Sequence, residues 1–107
     1  MAVTPLSVTE LKDRLTQGDD LLLLDVREPQ EYRYAKIDGS TLIPLQQIPA
    51  RIGELDPNRN IVVICHHGMR SMQAAHYLAH QGFTNVANLT GGIDAWSLQC
   101  DISVPRY

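Results

Sequence analysis

Cysteine is scarce in this chain: only Cys65 and Cys100, far apart and without Cys-x-x-Cys spacing. That pattern suits free thiols in a reducing compartment, so a cytoplasmic location is expected, although one disulfide between the pair stays open. Basic residues are not in excess. Nine Lys and Arg face twelve Asp and Glu, giving a formal charge of -3 and a pI near 5.7, which argues against nucleic acid as a partner and gives no sign of an anionic membrane. Long apolar runs are also missing. The longest aliphatic stretches, Leu21–Leu24 and Ile61–Ile64, are strand-sized and far too short to span a bilayer. MAVTPLSVTE has neither the charged start nor the apolar stretch of a secretory signal. No repeat, low-complexity tract or linker interrupts the chain. Its 107 residues and 44% apolar content fit one compact domain over 1–107 with a core that needs no staples.

Patterning predicts alternating strands and helices. Ser7 to Glu10 reads as a capping box, followed by apolar Val8, Leu11 and Leu15 at helical spacing and a stop at Gly18. LLLLDV (21–26) and IVVI (61–64) lack alternation, as strands buried on both faces do. Pro29 opens a helix, TLI (41–43) is a short strand, and Pro49 opens PARIGEL, which ends before the turn at 56–60. SMQAAHYLAHQGF is a helix with Gly82 as its C′ residue. NVANL (85–89) is a further strand, GGIDAWSLQ a turn and short helix, and DISVPRY an extended tail. Strand–helix alternation implies a parallel sheet covered on both faces, with ligands at the carboxyl ends of the strands. Asp25–Val26–Arg27 and Cys65 to Ser71 both fall on that edge.

The second of these, Ile-Cys-His-His-Gly-Met-Arg-Ser, joins a buried strand to a helix start. A free thiol ionises with a pKa of about 8.5 and is mostly unreactive at neutral pH. A helix N-terminus offers partial positive charge and unpaired N–H groups. Gly68 lets the backbone curl into an anion nest, and Arg70 adds a fixed charge. Protonated His66 or His67 adds more, although both also suit plain solvated loop residues. Ser71 is first a candidate helix cap and second a donor to the pocket. Cys65 therefore reads as a nucleophile beside a preformed anion pocket, against the alternative of a small buried residue ending a strand. Four residues separate Cys65 from Arg70. Cysteine phosphatases have one more, so this bowl is narrower and better suited to a single outer sulfur atom than to a phosphate. Asp25 reads as a structural acceptor tying neighbouring loops together, not as a general acid.

Other groupings carry less. His76 and His80 share a helix face but lack a third ligand, so no metal site is expected. Gly91–Gly92 is too short a signal for a phosphate site. Trp96 is expected in the core, and Cys100 as a packed or free tail thiol.

LLLLDVREPQEY, KIDGSTLIPL, VVICHHGMRSMQAAHYLAHQGF and NVANLTGGIDAW, in that order, resemble the single-domain rhodaneses. The resemblance covers most of the chain, departing where Ala35–Lys36–Ile37 replaces the usual Gly-His-Ile. It implies a three-layer α/β/α domain with a mainly parallel sheet of about five strands. It implies transfer of sulfane sulfur from thiosulfate or another donor to cyanide or a thiol, through a persulfide on Cys65. The backbone from His66 through His67, Gly68, Met69 and Arg70 to Ser71, with the Arg70 side chain, would surround that sulfur, and Asp25 and Arg27 would support the loop. No cofactor or metal is implied. The partners would be a small sulfur-containing anion and a thiol or protein acceptor. A non-catalytic interaction or sulfide-sensing module, and a phosphatase or arsenate reductase, are the competing readings.

Overall fold

The two uninterrupted aliphatic runs lie at the middle of the sheet, since strands apolar on both sides are stable only when both are covered. In the computed structural model, which describes residues 3–107, Leu22–Asp25 (β2) and Ile61–Ile64 (β4) run in parallel, with Leu22 opposite Ile61 and Asp25 opposite Ile64. Thr41–Leu42 (β3) flanks β2. Val86–Leu89 (β5) flanks β4, and Val3–Leu6 (β1) flanks β5. The order is β1-β5-β4-β2-β3, parallel throughout.

Helices cover both faces, as the three-layer reading requires. The period of two sends Leu23, Val62 and Ile64 to one side. There they pack with Val8 and Leu11 of Val8–Thr16 (α1) and with Ile93 and Trp96 of Gly92–Gln99 (α5). Leu24, Ile61 and Val63 face the other side. They meet Ile48 of Ile48–Arg51 (α3) and Ala74, Ala75 and Leu78 of Met69–His80 (α4). Pro29–Tyr34 (α2) follows β2 with proline in its first turn. The capping box forms: Ser7 Oγ accepts the Glu10 N–H at 3.1 Å, and Glu10 Oε1 accepts the Ser7 N–H at 2.9 Å. Gly82, at φ 95°, terminates α4.

Four segments depart from the patterning. Val-Thr-Pro-Leu gives no strand signal, yet it forms β1. Pro5 lacks an N–H, which an edge strand tolerates, and the order places β1 at the edge. Helix α4 begins at Met69, with Gly68 (φ 110°) in the cap position. Ser71 is therefore no cap; it lies buried inside the first turn. Helix α3 starts at Ile48, one residue ahead of Pro49, and its turns tighten to 3-10 on either side. The tail is folded, not extended: the Asp101 carboxylate takes the Ser103 N–H at 3.0 Å, and Val104 N–H returns to the Asp101 carbonyl at 3.1 Å, burying Val104.

Candidate active site

The register of β2 against β4 sets Asp25 beside Ile64, so the loops after both strands leave the sheet together. Cys65 comes directly after β4 and is only 1% exposed. Its methylene belongs with the apolar cluster under α4, but its sulfur meets polar groups. Gly68 N–H donates to Sγ at 3.0 Å, and Sγ lies 3.3 Å from Ser71 Oγ, to which the thiol donates. Ser71 in turn donates to Asn88 Oδ1, and Asn88 Nδ2 donates to the Gly68 carbonyl at 3.2 Å. The N–H groups of Met69, Arg70 and Ser71 belong to the first turn of α4, where no carbonyl precedes them in the helix.

Helix α5 holds this loop in place. Ile93 N–H donates to the Cys65 carbonyl at 2.9 Å, and Asp94 N–H to the His66 carbonyl at 3.1 Å. The approach is so close that a Cβ on Gly92, itself at φ 61°, would stand 2.4 Å from the His66 oxygen. The glycine pair that carries no phosphate signal thus has a steric role. It lets a helix N-terminus reach two loop carbonyls.

Arg70 points to Glu31 of α2, in a two-pronged pair at 2.7 and 2.9 Å. The fixed charge expected beside the sulfur is therefore balanced by a carboxylate. Arg70, chiefly through its hydrogen bonds and against some burial, lowers the Glu31 pKa to about 2, while Arg70 itself is raised. Beneath this pair, Asp25 and Arg27 form a fully buried salt bridge at 2.7 Å. Arg27 also donates to the Ala35 carbonyl at 2.5 Å and to the Tyr107 hydroxyl at 2.7 Å. Burial opposes the Arg27 charge, but the hydrogen bonds to Asp25 and Tyr107 outweigh it and raise its pKa. Removing one partner of such a buried pair costs about 3–5 kcal/mol. The Tyr107 hydroxyl donates in turn to Glu31 Oε2 at 2.8 Å, linking the two ion pairs. Burial first, then Glu31, pushes its phenol up to about 12.

His66 is stacked between His67, with centroids 4.0 Å apart, and Tyr107, at 3.9 Å. Burial, then His67, lowers the His66 pKa. Its Nε2 is buried without a partner. His67 is exposed, and its Nε2 lies 3.8 Å from Asp94 Oδ2. His66, His67 and Asp94 bring three ligand-type atoms within 4.8 Å. The two imidazoles are stacked 29° from parallel, and Arg106 already holds the Asp94 carboxylate at 3.0 Å. His76 and His80 are exposed on α4. Met69 is 81% exposed at the rim. Trp96 is buried. Cys100 is free, with its thiol 3.4 Å from the Val8 carbonyl and its pKa raised by burial.

The structure therefore gathers Cys65 to Ser71 with Asp25 and Arg27 and adds four residues the motifs do not reveal: Glu31, Asn88, Gly92 and Tyr107. Two of them leave a trace in the sequence: Gly92, in the glycine pair before a short helix, and Asn88. The latter is a polar residue on the same strand face as Val86, where the pattern calls for an apolar one.

A fold and loop of this kind define a class, and comparison with known proteins gives the same one. The rhodanese-like domain family model matches residues 7–99; the chain belongs to this family. The rhodanese-like/PpiC domain-containing protein 12, chloroplastic, of Arabidopsis thaliana is 40% identical over 112 residues, which are 98% of this chain but 38% of that protein. The thiosulfate sulfurtransferase GlpE of Shewanella oneidensis is 36% identical over 91 residues, 85% of this chain and 89% of that protein. A rhodanese-related protein from Thermoplasma volcanium superposes with a TM-score of 0.83 at 29% identity, covering 91% of this chain and 93% of that one. The chain thus spans well under half of the plant relative and most of the bacterial one.

Two variants test this construction. Gly92→Ala should lower stability by about 2–4 kcal/mol in denaturant melts, since the new methyl meets a backbone carbonyl at a strained φ. Glu31→Gln should remove about 1–2 kcal/mol at neutral pH, a figure reduced for solvent screening. The Glu31 pKa lies below its ordinary 4.5, so its contribution is present above about pH 4.5 and is lost as the pH falls towards 2. The difference between wild type and variant should shrink over that range.

Proposed function

We propose that the protein moves single sulfur atoms, with Cys65 as the carrier, from a small anion such as thiosulfate to a thiol, protein or cyanide acceptor. The observation that supports this most is the Cys65 sulfur, which receives the Gly68 N–H at 3.0 Å within a loop of only four residues before Arg70. Membership in a family with named sulfurtransferases supports the reaction class. In the first step the Cys65 thiolate attacks the outer sulfur of thiosulfate. A new S–S bond forms, the old one breaks, and sulfite leaves with the bonding pair. In the second, the acceptor attacks the outer persulfide sulfur, and Cys65 departs as thiolate. Neither step needs an external oxidant or a cofactor, because the sulfur changes hands by displacement.

The backbone from His66 to Ser71 surrounds the incoming anion. Met69 stands at the rim, and Asp25 and Arg27 hold the adjacent loop from below. An anionic donor competes with Glu31 for Arg70, so the guanidinium pair is a charge held ready. With Cys65 almost wholly buried, the pocket favours contact by one terminal atom over a phosphate ester. Both thiols are free, and a thiolate carrier works in a reducing compartment such as the cytoplasm. No helix among the described residues is long and apolar enough to cross a membrane.

Incubation with thiosulfate should add one sulfur to Cys65 by intact mass, and cyanide should then remove it as thiocyanate. Cys65→Ser should show neither. A protein with a free Cys65 that accepts sulfur from no sulfane donor would refute the reading. Inserting one residue between Met69 and Arg70 should weaken sulfur transfer and favour phosphate esters; turnover of such esters by the unaltered protein would overturn the loop-length argument.

A further inference from the structure

Buried hydrogen bonds close a ring around the Cys65 sulfur. The thiol donates to Ser71, Ser71 to Asn88, Asn88 to the Gly68 carbonyl, and the Gly68 N–H returns to the sulfur. Ser71 is fully buried and Asn88 is 3% exposed, so water does not stand in for a missing partner.

The Ser71 hydroxyl has one proton to give. While that proton lies on Asn88 Oδ1, the Ser71 oxygen faces Cys65 with lone pairs. This arrangement accepts from a thiol and repels a thiolate. To donate to a thiolate, Ser71 must release Asn88 and leave a buried carbonyl oxygen unpaired, which is unfavourable. Turning the carboxamide over does not help, because its oxygen would then confront the Gly68 carbonyl now 3.2 Å from Nδ2. We propose that Asn88 is a positioning residue that acts through Ser71 to restrain ionisation of Cys65, opposing the loop N–H groups that favour it. An idle carrier held as thiol reacts slowly with oxidants. The restraint lifts when the Ser71 proton turns to the sulfur.

The other charged and titratable groups of the site are Arg70 of α4 paired with Glu31 of α2, His66 in the loop with Tyr107 stacked on it, His67 and Asp94 at the rim, and the Asp25–Arg27 pair after β2. They are unchanged in the variants below, so their influence cancels in the comparison.

The inference rests on Cys65 being the sulfur carrier, but its test reads the thiol directly. The rate of iodoacetamide alkylation is followed at Cys65 by peptide mass, which separates it from Cys100, across a pH series. Asn88→Ala should move the midpoint of the profile to lower pH and raise labelling at about pH 6.5 roughly threefold to tenfold. Asn88→Leu, which keeps the volume and guards against collapse of the strand, should shift it in the same direction. In a Ser71→Ala background neither change should add a further shift. A merely structural role predicts the reverse, because a slack loop would draw the Gly68 N–H away from the sulfur and raise the midpoint. An unchanged or raised midpoint in both Asn88 variants would overturn the proposal, as would a shift that persists without Ser71. Thiosulfate loading, scored separately, shows whether the carrier reading itself fails.

Discussion

The contact on which the candidate site depends is the docking of the α5 N-terminus onto the Cys65 and His66 carbonyls. Those bonds turn the two carbonyls towards the helix and away from the bowl. The Gly68 N–H meets the sulfur at 3.0 Å, and Gly68, at φ 110°, then turns the chain into α4. Gly92 makes the docking possible by having nothing where a methyl would stand. An anion-binding loop requires carbonyls out and amides in, and here one helix end and two glycines impose that orientation.

Around the loop, charge is arranged in balanced layers. The buried Asp25–Arg27 pair is satisfied on all sides, as a buried pair must be to offset its desolvation penalty. Above it, Tyr107 connects Arg27 to Glu31, and Glu31 holds the more exposed Arg70. The upper pair is only part-buried, so water screens it more and it is worth less than the pair below.

The sulfur is subject to opposing influences. Loop amides and a helix start favour negative charge at this point, whereas the Ser71–Asn88 arrangement suits the protonated thiol. For the proposed carrier role, a balance that moving one hydroxyl proton can tip keeps the thiol inert when idle and nucleophilic when a donor is present. Such control comes from hydrogen-bond direction, not net charge, and it acts over a few ångströms among buried groups.

Sequence by itself determined most of the elements and the position of the Cys65 loop between a strand and a helix. Apolar runs without alternation mark β2 and β4, Ser7 and Glu10 mark the start of α1, and Cys65, Gly68 and Arg70 between strand and helix mark the loop, because each signal depends on spacing along a few neighbouring residues. It did not determine β1, whose pairing with β5 outweighs a weak local propensity at Val-Thr-Pro-Leu, nor the position of Ser71 inside α4. Only the tertiary structure brought Glu31 to Arg70, Asn88 to Ser71, Tyr107 to Arg27 and Gly92 against the His66 carbonyl. These partners lie between 17 and 80 residues apart in the chain, and no local pattern registers a contact made when separate strands and helices pack.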